Sequence, residues 1–217
     1  MSKSEIAGSR ASAPRADIGA AVEALRRGEV VVFPTETLYG LGADALNGEA
    51  VEKIFALKGR DPLNPIPVLV ADRRMLAALV AAIPPLAEKL MERFWPGPLT
   101  IVLPARQDIP RPLVNSRGGV GVRISSSPVA AELVEKLGRP LTATSANPSG
   151  QAAARTVAEA RSYFGGKIDL FIDGGELESK TGSTVVEVRG GFLAVIRHGE
   201  IAEAALESAL GKEKILR

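Results

Sequence analysis

The sequence contains no cysteine and a single histidine, His198. The absence of cysteine excludes disulfides, thiolate nucleophiles and cysteine-based zinc sites. One histidine argues against a histidine-dependent catalytic triad and against a multi-histidine metal site. Any chemistry therefore has to come from hydroxyl, amide, carboxylate, lysine and arginine groups.

Long apolar runs and the standard nucleotide motifs are missing as well. No run approaches the roughly 20 apolar residues of a membrane-spanning helix, and residues 1–15 lack the hydrophobic core of a secretory signal. We therefore expect a cytoplasmic protein that makes no contact with membranes. The sequence has no G-x-x-x-x-G-K-[ST] motif, and Gly40-Leu41-Gly42 lacks the third glycine of a dinucleotide fingerprint. A nucleotide site would have to be built from scattered residues.

The composition is that of one globular domain. Hydrophobic residues make up 46% of the 217 residues and charged residues 24%, which is enough for a substantial core. The net charge is only +2, although the isoelectric point is near 9.0, so a local basic patch matters more than overall charge. We expect a disordered tail over residues 1–15, a folded domain over 16–210 and a basic tail over 211–217.

The stretch Val30–Asp44 organises the prediction. It begins as a continuous apolar run, typical of a strand buried on both faces. Pro34 is expected to end the strand, and a turn with hydroxyls and Glu36 follows. The next helix ends in Lys58-Gly59-Arg60. We predict that this strand, the turn and the helix end form one wall of a nucleotide site. The alternative is a buried strand with a tight turn and a solvated helix end, and this stretch taken alone favours that alternative.

Helical and strand patterns alternate along the rest of the chain, which predicts a mixed α/β domain with a largely buried sheet. Val120, Val122 and Ile124 alternate with Gly121 and Arg123, so Arg123 lies on the polar face of its strand. The remaining predicted strands are 68–70, 99–103, 140–144, 168–172 and a hairpin of 185–188 with 192–196, and the predicted helices are 17–27, 48–58, 72–81, 84–94, 127–137, 156–164 and 201–210.

Polar side chains at the ends of these elements are candidates for phosphate binding, which needs rigidly held cations and hydroxyl donors. Ser145 and Asn147 follow one strand, Arg197 follows another, and Arg123 lies on a third. Each has a structural alternative. A loop such as that at Ser145 is most often a turn whose side chains hydrogen-bond its own backbone. Arg197 alone would most often form a surface ion pair, and Arg123 alone would most often lie on a solvated strand face.

Three further residues have competing interpretations. Glu36 is either a general base or, more commonly, a carboxylate that closes a tight turn. Trp95, between Phe94 and Pro96, is favoured as a packing residue over a platform for base stacking. His198 is favoured as a locally hydrogen-bonded residue over a catalytic one.

An ordered set of motifs resembles the YrdC/TsaC family over residues 17 to 200. The motifs are Pro34-Thr35-Glu36-Thr37-Leu38-Tyr39-Gly40-Leu41-Gly42, Lys58-Gly59-Arg60, Trp95-Pro96-Gly97-Pro98-Leu99-Thr100, Val122-Arg123-Ile124, Ser145-Ala146-Asn147-Pro148-Ser149-Gly150, Ser183-Thr184-Val185-Val186 and Arg197-His198-Gly199. Any one of them is weak, but seven in order are specific.

The resemblance implies an α/β fold with a twisted mixed sheet flanked by helices around a deep basic cavity. It also implies a nucleotidyltransferase that makes L-threonylcarbamoyladenylate and pyrophosphate from L-threonine, bicarbonate and ATP with Mg²⁺, for modification of the tRNA adenosine next to the anticodon. The implied partners are tRNA threonylcarbamoyl transferase proteins, with weak binding of tRNA or double-stranded RNA.

By the same resemblance, Thr35, Arg123 and Ser183 hold the threonine. Lys58, Arg60, Ser145, Asn147 and Arg197 hold the nucleotide, with Lys58 and Arg60 as catalytic residues. Metal ligands from the protein are not implied.

Two other functions remain open from the sequence. A non-catalytic RNA-binding module of the same fold would suit the basic isoelectric point, but an aromatic content of 4% leaves few stacking platforms. A carbamoyl-adenylate domain of a larger maturation enzyme would be accompanied by zinc-finger-like segments, and the chain has no cysteine.

Overall fold

The computed structural model describes residues 17–211 and 214–216, so the predicted tail over 1–15 lies outside the described residues. The helices are α1 (Asp17–Arg26), α2 (Gly48–Lys58), α3 (Arg73–Leu79), α4 (Pro85–Phe94), α5 (Pro128–Leu137), α6 (Val157–Phe164) and α7 (Glu203–Leu210), with a 3₁₀ turn at Arg111–Leu113. In this part of the chain no helix is long and apolar enough to cross a membrane.

Eleven short strands are formed by the described residues. They are β1 (Val31–Pro34), β2 (Tyr39–Gly42), β3 (Val68–Leu69), β4 (Leu99–Pro104), β5 (Gly119–Arg123), β6 (Leu141–Thr142), β7 (Thr144–Ser145), β8 (Leu170–Phe171), β9 (Thr184–Arg189), β10 (Phe192–Arg197) and β11 (Ile215–Leu216). The strand β11 falls within the predicted basic tail and pairs in parallel with β10.

The strands form two sheets, both mixed, where the sequence predicts one. The smaller sheet has the order β7-β2-β1-β8, and the larger has the order β11-β10-β9-β4-β5-β3-β6. In the larger sheet β4 pairs in parallel with β9 and antiparallel with β5. The predicted class, mixed α/β with flanking helices, is confirmed.

The central strand β1 is buried on both faces, as its apolar run predicts. Val31 and Phe33 pack with α1 and α5 in one hydrophobic cluster, while Val30 and Val32 face the main cluster on the other side. This double burial explains why the run lacks the polar alternation of a half-exposed strand.

Pro34 ends β1, as the sequence predicts. Pro34 pairs with Tyr39, and the chain returns as β2 antiparallel to β1, with Phe33 opposite Gly40. Proline is tolerated here because it is the last residue of the strand and its missing N–H breaks no further ladder bond. The Gly40-Leu41-Gly42 segment is therefore a buried strand, since glycine there leaves room for the Phe33 ring.

The strand predicted over 140–144 is split between the two sheets. β6 pairs with β3 in the larger sheet, whereas β7 pairs with β2 in the smaller one. The chain crosses from one sheet to the other at Ala143, so that Ser145 lies where residues of both sheets meet.

Helix ends follow the local sequence closely. Asp72, Ser127 and Thr156, the first residues of three predicted helices, are N-caps that each accept a hydrogen bond from the first turn of their helix, which satisfies otherwise unpaired amides. At the end of α2, Gly59 adopts the left-handed conformation with φ 57 and turns Arg60 out of the helix.

The predicted hairpin is confirmed as β9 and β10. Gly190 and Gly191 connect the strands with φ values of 55 and 83, the positive values that a two-residue turn of this kind demands. The hairpin places Ser183, just before β9, close to Arg197 at the end of β10, which hydrogen-bonds it.

Candidate functional site

A cavity of about 190 Å³ is lined by residues from both sheets. The β1–β2 turn and β7 contribute from the smaller sheet, and the ends of β5 and β10 from the larger. The lining residues in the described part of the chain are Thr35, Thr37, Leu38, Tyr39, Gly40, Arg60, Pro67, Arg123, Ala143, Thr144, Ser145, Gly182, Ser183, Arg197 and His198.

Three guanidinium groups converge on this cavity, from Arg60, Arg123 and Arg197. Desolvation lowers the pKa of all three guanidiniums. Arg197 is exposed overall, and the nearby charges of Arg123 and Arg60 lower its pKa further. The described lining has no carboxylate. Cations that repel one another in a partly dry cavity are stabilised by an anion, so the site is built for negatively charged ligands.

Arg123 is buried, only 5% exposed, so its interpretation as a solvated strand face is wrong. Its Nη1 donates to Oε1 of Glu36 at 3.0 Å. Glu36 is the only side chain among the described residues that hydrogen-bonds the Arg123 guanidinium, and within the same residues Nε and Nη2 have no partner. The Glu36 side chain is 13% exposed and lies behind Arg123, outside the cavity lining.

Arg197 is held by Ser183. Its Nη2 donates to the Ser183 carbonyl at 2.6 Å and to the Ser183 hydroxyl at 3.1 Å, and Nε donates to the same carbonyl. The hydroxyls of Ser183 and Thr100 lie 2.8 Å apart. Among the described residues Nη1 of Arg197 has no hydrogen-bond partner, so it is available to a ligand. Arg197 is therefore not engaged in the surface ion pair that the sequence allowed.

Arg60 joins the cavity to the loop that follows α2. Its Nε donates to the carbonyl of Asn64 at 2.7 Å, and Nη2 donates to that of Pro65 at 3.3 Å. A second cavity of about 390 Å³ begins on the other side of Arg60 and shares Pro67 and Arg197 with the first. Arg60 and Arg197 therefore stand between two adjoining spaces.

Thr35 lies at the cavity, but its hydroxyl is largely occupied by its own turn. The Oγ1 accepts from the amides of Thr37 and Leu38 and donates to the Leu38 carbonyl at 2.7 Å. This arrangement makes the β1–β2 turn rigid. Thr37, which the sequence did not single out, also lines the cavity; its place in the same motif is the signal that could have identified it.

Ser145 and Asn147 have different roles in their loop. The Ser145 side chain lines the cavity, and its hydroxyl makes no hydrogen bond to any described residue. The Asn147 amide instead donates to the carbonyls of Pro148 and Gln151, at 3.0 and 2.6 Å. The alternative of a self-satisfied turn thus describes Asn147, whereas the Ser145 hydroxyl lies at the cavity without a partner among the described residues.

Lys58 is buried beneath this loop and is not among the described residues that line the cavity. Its Nζ donates to the Ser145 carbonyl at 2.5 Å, the Asn147 carbonyl at 2.7 Å and the Asn147 Oδ1 at 3.4 Å. Desolvation, with a smaller contribution from the charge of Arg60, lowers its pKa from 10.5 to about 8. The prediction of a solvent-facing helix end is wrong for Lys58, because the ammonium holds the Ser145 loop from inside.

Trp95 and His198 complete the sequence candidates. The indole of Trp95 donates to the Leu99 carbonyl at 2.6 Å and packs against the main core, which confirms its interpretation as a packing residue. His198 is exposed at the cavity and makes no hydrogen bond to the described residues, so the expected local partner is not found.

Known proteins with this sequence pattern are numerous. The family model Sua5/YciO/YrdC, described as "Telomere recombination", matches residues 23–199. A threonylcarbamoyl-AMP synthase of Pyrococcus abyssi is 40% identical over 191 residues, covering 88% of this chain but only 56% of the relative. A threonylcarbamoyl-AMP synthase of Halorhodospira halophila is 43% identical over 159 residues, covering 72% of this chain and 83% of the relative.

Solved structures share the fold. Sua5 of P. abyssi, in a complex with L-threonine, has a TM-score of 0.88 and 39% identity, covering 92% of this chain and 58% of that one. E. coli YciO has a TM-score of 0.79 and 28% identity, covering 87% of this chain and 92% of that one. The chain thus spans little more than half the length of the P. abyssi protein.

Proposed function

Because this chain belongs to the Sua5/YciO/YrdC family, we propose that it is an L-threonylcarbamoyladenylate synthase. It would form threonylcarbamoyl-AMP and pyrophosphate from L-threonine, bicarbonate and ATP. The product would pass to tRNA threonylcarbamoyl transferase proteins for modification of the adenosine next to the anticodon. The observation that carries the proposal is the convergence of three arginines on one cavity whose described lining has no carboxylate.

The charge of the cavity suits these substrates. ATP, bicarbonate and the threonine carboxylate are all anions, and each gains from guanidinium groups held on rigid elements. The P. abyssi relative has been solved in a complex with L-threonine. A cavity of about 190 Å³ is suited to an amino acid, with the adjoining space open to a larger ligand.

The donors without a partner among the described residues suggest which residues bind threonine and which bind the phosphates of ATP. Arg123, which contacts Glu36 in the turn that contains Thr35, would bind the threonine together with Ser183. Arg60 and Arg197, which face both spaces, would bind the phosphates together with the free hydroxyl of Ser145. Each assignment uses a group on the cavity wall.

Two assignments involve residues that lie behind the wall, Lys58 and Asn147. Lys58 would reach a phosphate by giving up its longest bond, 3.4 Å to the Asn147 Oδ1. Asn147 would then contribute by holding the loop around its own amide.

The chemistry requires positioning more than covalent work. The threonine amine takes up bicarbonate with loss of water, giving an N-carboxylate. One of its oxygens attacks the α-phosphorus of ATP, the bond to the bridging oxygen breaks, and pyrophosphate leaves with that electron pair. Arginine donors would offset the charge that develops on the leaving group, as in other phosphoryl and nucleotidyl transfers.

Magnesium would enter with the nucleotide. The described residues contain no group of three or more His, Asp or Glu side chains placed to hold a metal, and their side chains offer hydroxyls, guanidiniums and the single imidazole of His198 to the cavity. The donor set therefore fits an ion carried by ATP phosphates and their waters, which would neutralise part of the phosphate charge.

The test is pyrophosphate release by the purified chain, with the nucleotide product identified by mass spectrometry. We expect release only when threonine, bicarbonate and Mg²⁺-ATP are all present, and a product with the mass of threonylcarbamoyl-AMP. Omitting each substrate in turn is the control. Binding of tRNA without such release would instead indicate the RNA-binding module.

A further inference from the structure

A carboxylate that does not reach the cavity is connected to it through Arg123. Glu36 occupies the β1–β2 turn, whose neighbours Thr35, Thr37 and Leu38 all line the cavity while Glu36 does not. The turn is locked by the Thr35 hydroxyl, so it directs Glu36 away from the ligand space and towards the end of β5.

The Glu36 carboxylate is used on both oxygens. Oε1 accepts from Nη1 of Arg123 at 3.0 Å, and Oε2 accepts a short hydrogen bond from the Ser125 hydroxyl. The Ser125 hydroxyl in turn accepts from the amide of Ser127, which caps α5 and donates to the Pro34 carbonyl. A chain of hydrogen bonds therefore runs from a helix N-terminus to the guanidinium in the cavity.

This connection joins the two sheets. Glu36 belongs to the hairpin of the smaller sheet, and Arg123 ends a strand of the larger one. Both side chains are largely buried, at 6% exposure for Arg123 and 13% for Glu36. A charge-assisted pair in such surroundings holds one geometry well, because few alternative partners are present.

The contact with Glu36 also determines which edge of the Arg123 guanidinium can bind a ligand carboxylate. A guanidinium binds a carboxylate in bidentate fashion through one edge, either Nη1 with Nη2 or Nε with Nη2. Because Glu36 occupies Nη1, the edge that remains complete is Nε with Nη2. Neither of these atoms has a partner among the described residues, and Arg123 lines the cavity.

We propose that Glu36 is a positioning residue, which holds Arg123 so that the Nε–Nη2 edge receives the carboxylate of the amino-acid substrate. This inference rests on the proposed function and deepens it. Glu36 itself does not touch the substrate, and it is not a general base. Its negative charge also offsets the cost of burying Arg123 beside two other cations.

The test compares L-threonine with L-threoninamide, which lacks the carboxylate. Calorimetry gives the dissociation constant of each for wild type, Glu36→Gln, and Glu52→Gln, a control that removes an exposed carboxylate from α2. We expect Glu36→Gln to reduce the preference for threonine over the amide by about tenfold, the effect of weakening one charge-assisted contact. The KM for ATP should remain unchanged, and Glu52→Gln should resemble wild type.

Each other outcome has a clear meaning. If Glu36→Gln weakens both ligands equally, or neither, Glu36 is only structural and the inference fails. If Glu36→Gln does not fold, Ser125→Ala decides, because it keeps the ion pair but removes its support. We expect Ser125→Ala to lower the same preference by about threefold, and an unchanged preference would overturn the inference.

Pyrophosphate release by wild type is measured in parallel. A wild-type protein that prefers threonine over its amide but releases no pyrophosphate would refute the synthase while leaving the role of Glu36 standing. A wild-type protein that releases pyrophosphate but does not prefer threonine over its amide would support the synthase and refute the role of Glu36.

Discussion

Lys58 offers the sharpest test of how the loop at the cavity is held. We consider Lys58→Met, which keeps most of the length of the side chain and removes its charge and donors. Lys58 donates to the carbonyls of Ser145 and Asn147 from a buried position. The variant should remove one donor from each of these carbonyls, loosen the Ser145 loop and raise the KM for ATP.

The magnitude follows from the lowered pKa. One pKa unit corresponds to about 1.4 kcal/mol, so a shift from 10.5 to about 8 disfavours the buried ammonium by about 3 kcal/mol. The Asn147 carbonyl would be left without a partner among the described residues, at a cost of about 1–3 kcal/mol, whereas the Ser145 carbonyl would keep its bond from the Asn147 backbone amide. The two effects nearly cancel, so we expect Lys58→Met to change the free energy of unfolding at neutral pH by less than about 3 kcal/mol.

The pH dependence has a definite sign. Between pH 8 and 10.5 the unfolded chain keeps the Lys58 proton while the folded protein loses it, so the unfolded state binds more protons. Stability from this group therefore rises with pH across that window, and below pH 8 the penalty is present in full. Thermal unfolding without nucleotide should show this rise in wild type and not in Lys58→Met.

Use of ATP should become weaker over the pH range in which stability rises. Lys58 becomes neutral as pH rises through about 8. In the proposed phosphate site it would then no longer stabilise phosphate charge, so we expect the KM for ATP to increase in wild type. Lys58→Met should show a raised KM that does not depend on pH in this range. The control is Lys53→Met, because Lys53 is an exposed lysine of the same helix that donates to the Gly28 carbonyl.

Two results would refute this reasoning. One is the same pH dependence of the melting temperature in wild type and Lys58→Met. The other is a KM for ATP in Lys58→Met equal to that of wild type at pH 7.

The remaining predictions concern the other two polar turns. Ser145→Ala should leave the melting temperature unchanged, because its hydroxyl has no partner among the described residues, but should weaken stabilisation by Mg²⁺-ATP and slow pyrophosphate release; a destabilised, fully active variant would remove Ser145 from the site. Asn147→Ala should lower the free energy of unfolding by about 1–3 kcal/mol, since it leaves the Gln151 carbonyl without a partner among the described residues and removes one acceptor of the buried Lys58 ammonium, and unchanged thermal unfolding would contradict its role in the loop. Thr35→Ala should raise the KM for threonine and lower the melting temperature, because the hydroxyl holds the turn, whereas Thr35→Ser should retain both properties; an equal rise in the KM for ATP would indicate a role in folding alone.

Much of the fold is predictable because it depends on neighbours in sequence. The caps at Asp72, Ser127 and Thr156 are satisfied within their own first turns, and the glycines of the hairpin act through their own φ values. The buried strand β1 is visible as an uninterrupted apolar run. In each case the energetic reason lies within a few residues, so composition and period reveal it.

The candidate site is less predictable because its contacts are distant in sequence. The sequence itself indicates Arg60, Arg123, Arg197 and Ser145 as polar groups at element ends, and all four line the cavity. It does not indicate that Glu36 would meet Arg123, 87 residues away. Nor does any local pattern show that Lys58 would be buried under a loop 87 residues further on.

The sequence by itself determined the mixed α/β class, the helix ends, the buried central strand and the identity of the cationic residues. Only the tertiary structure decided that the chain crosses between two sheets at Ala143, that β2 returns along β1, and which donors stay free. The reason is physical: whether a polar group binds a ligand or its own protein depends on which acceptors lie within about 3 Å of it. That distance depends on how strands far apart in the sequence pack together, which the local pattern of apolar and polar residues does not predict.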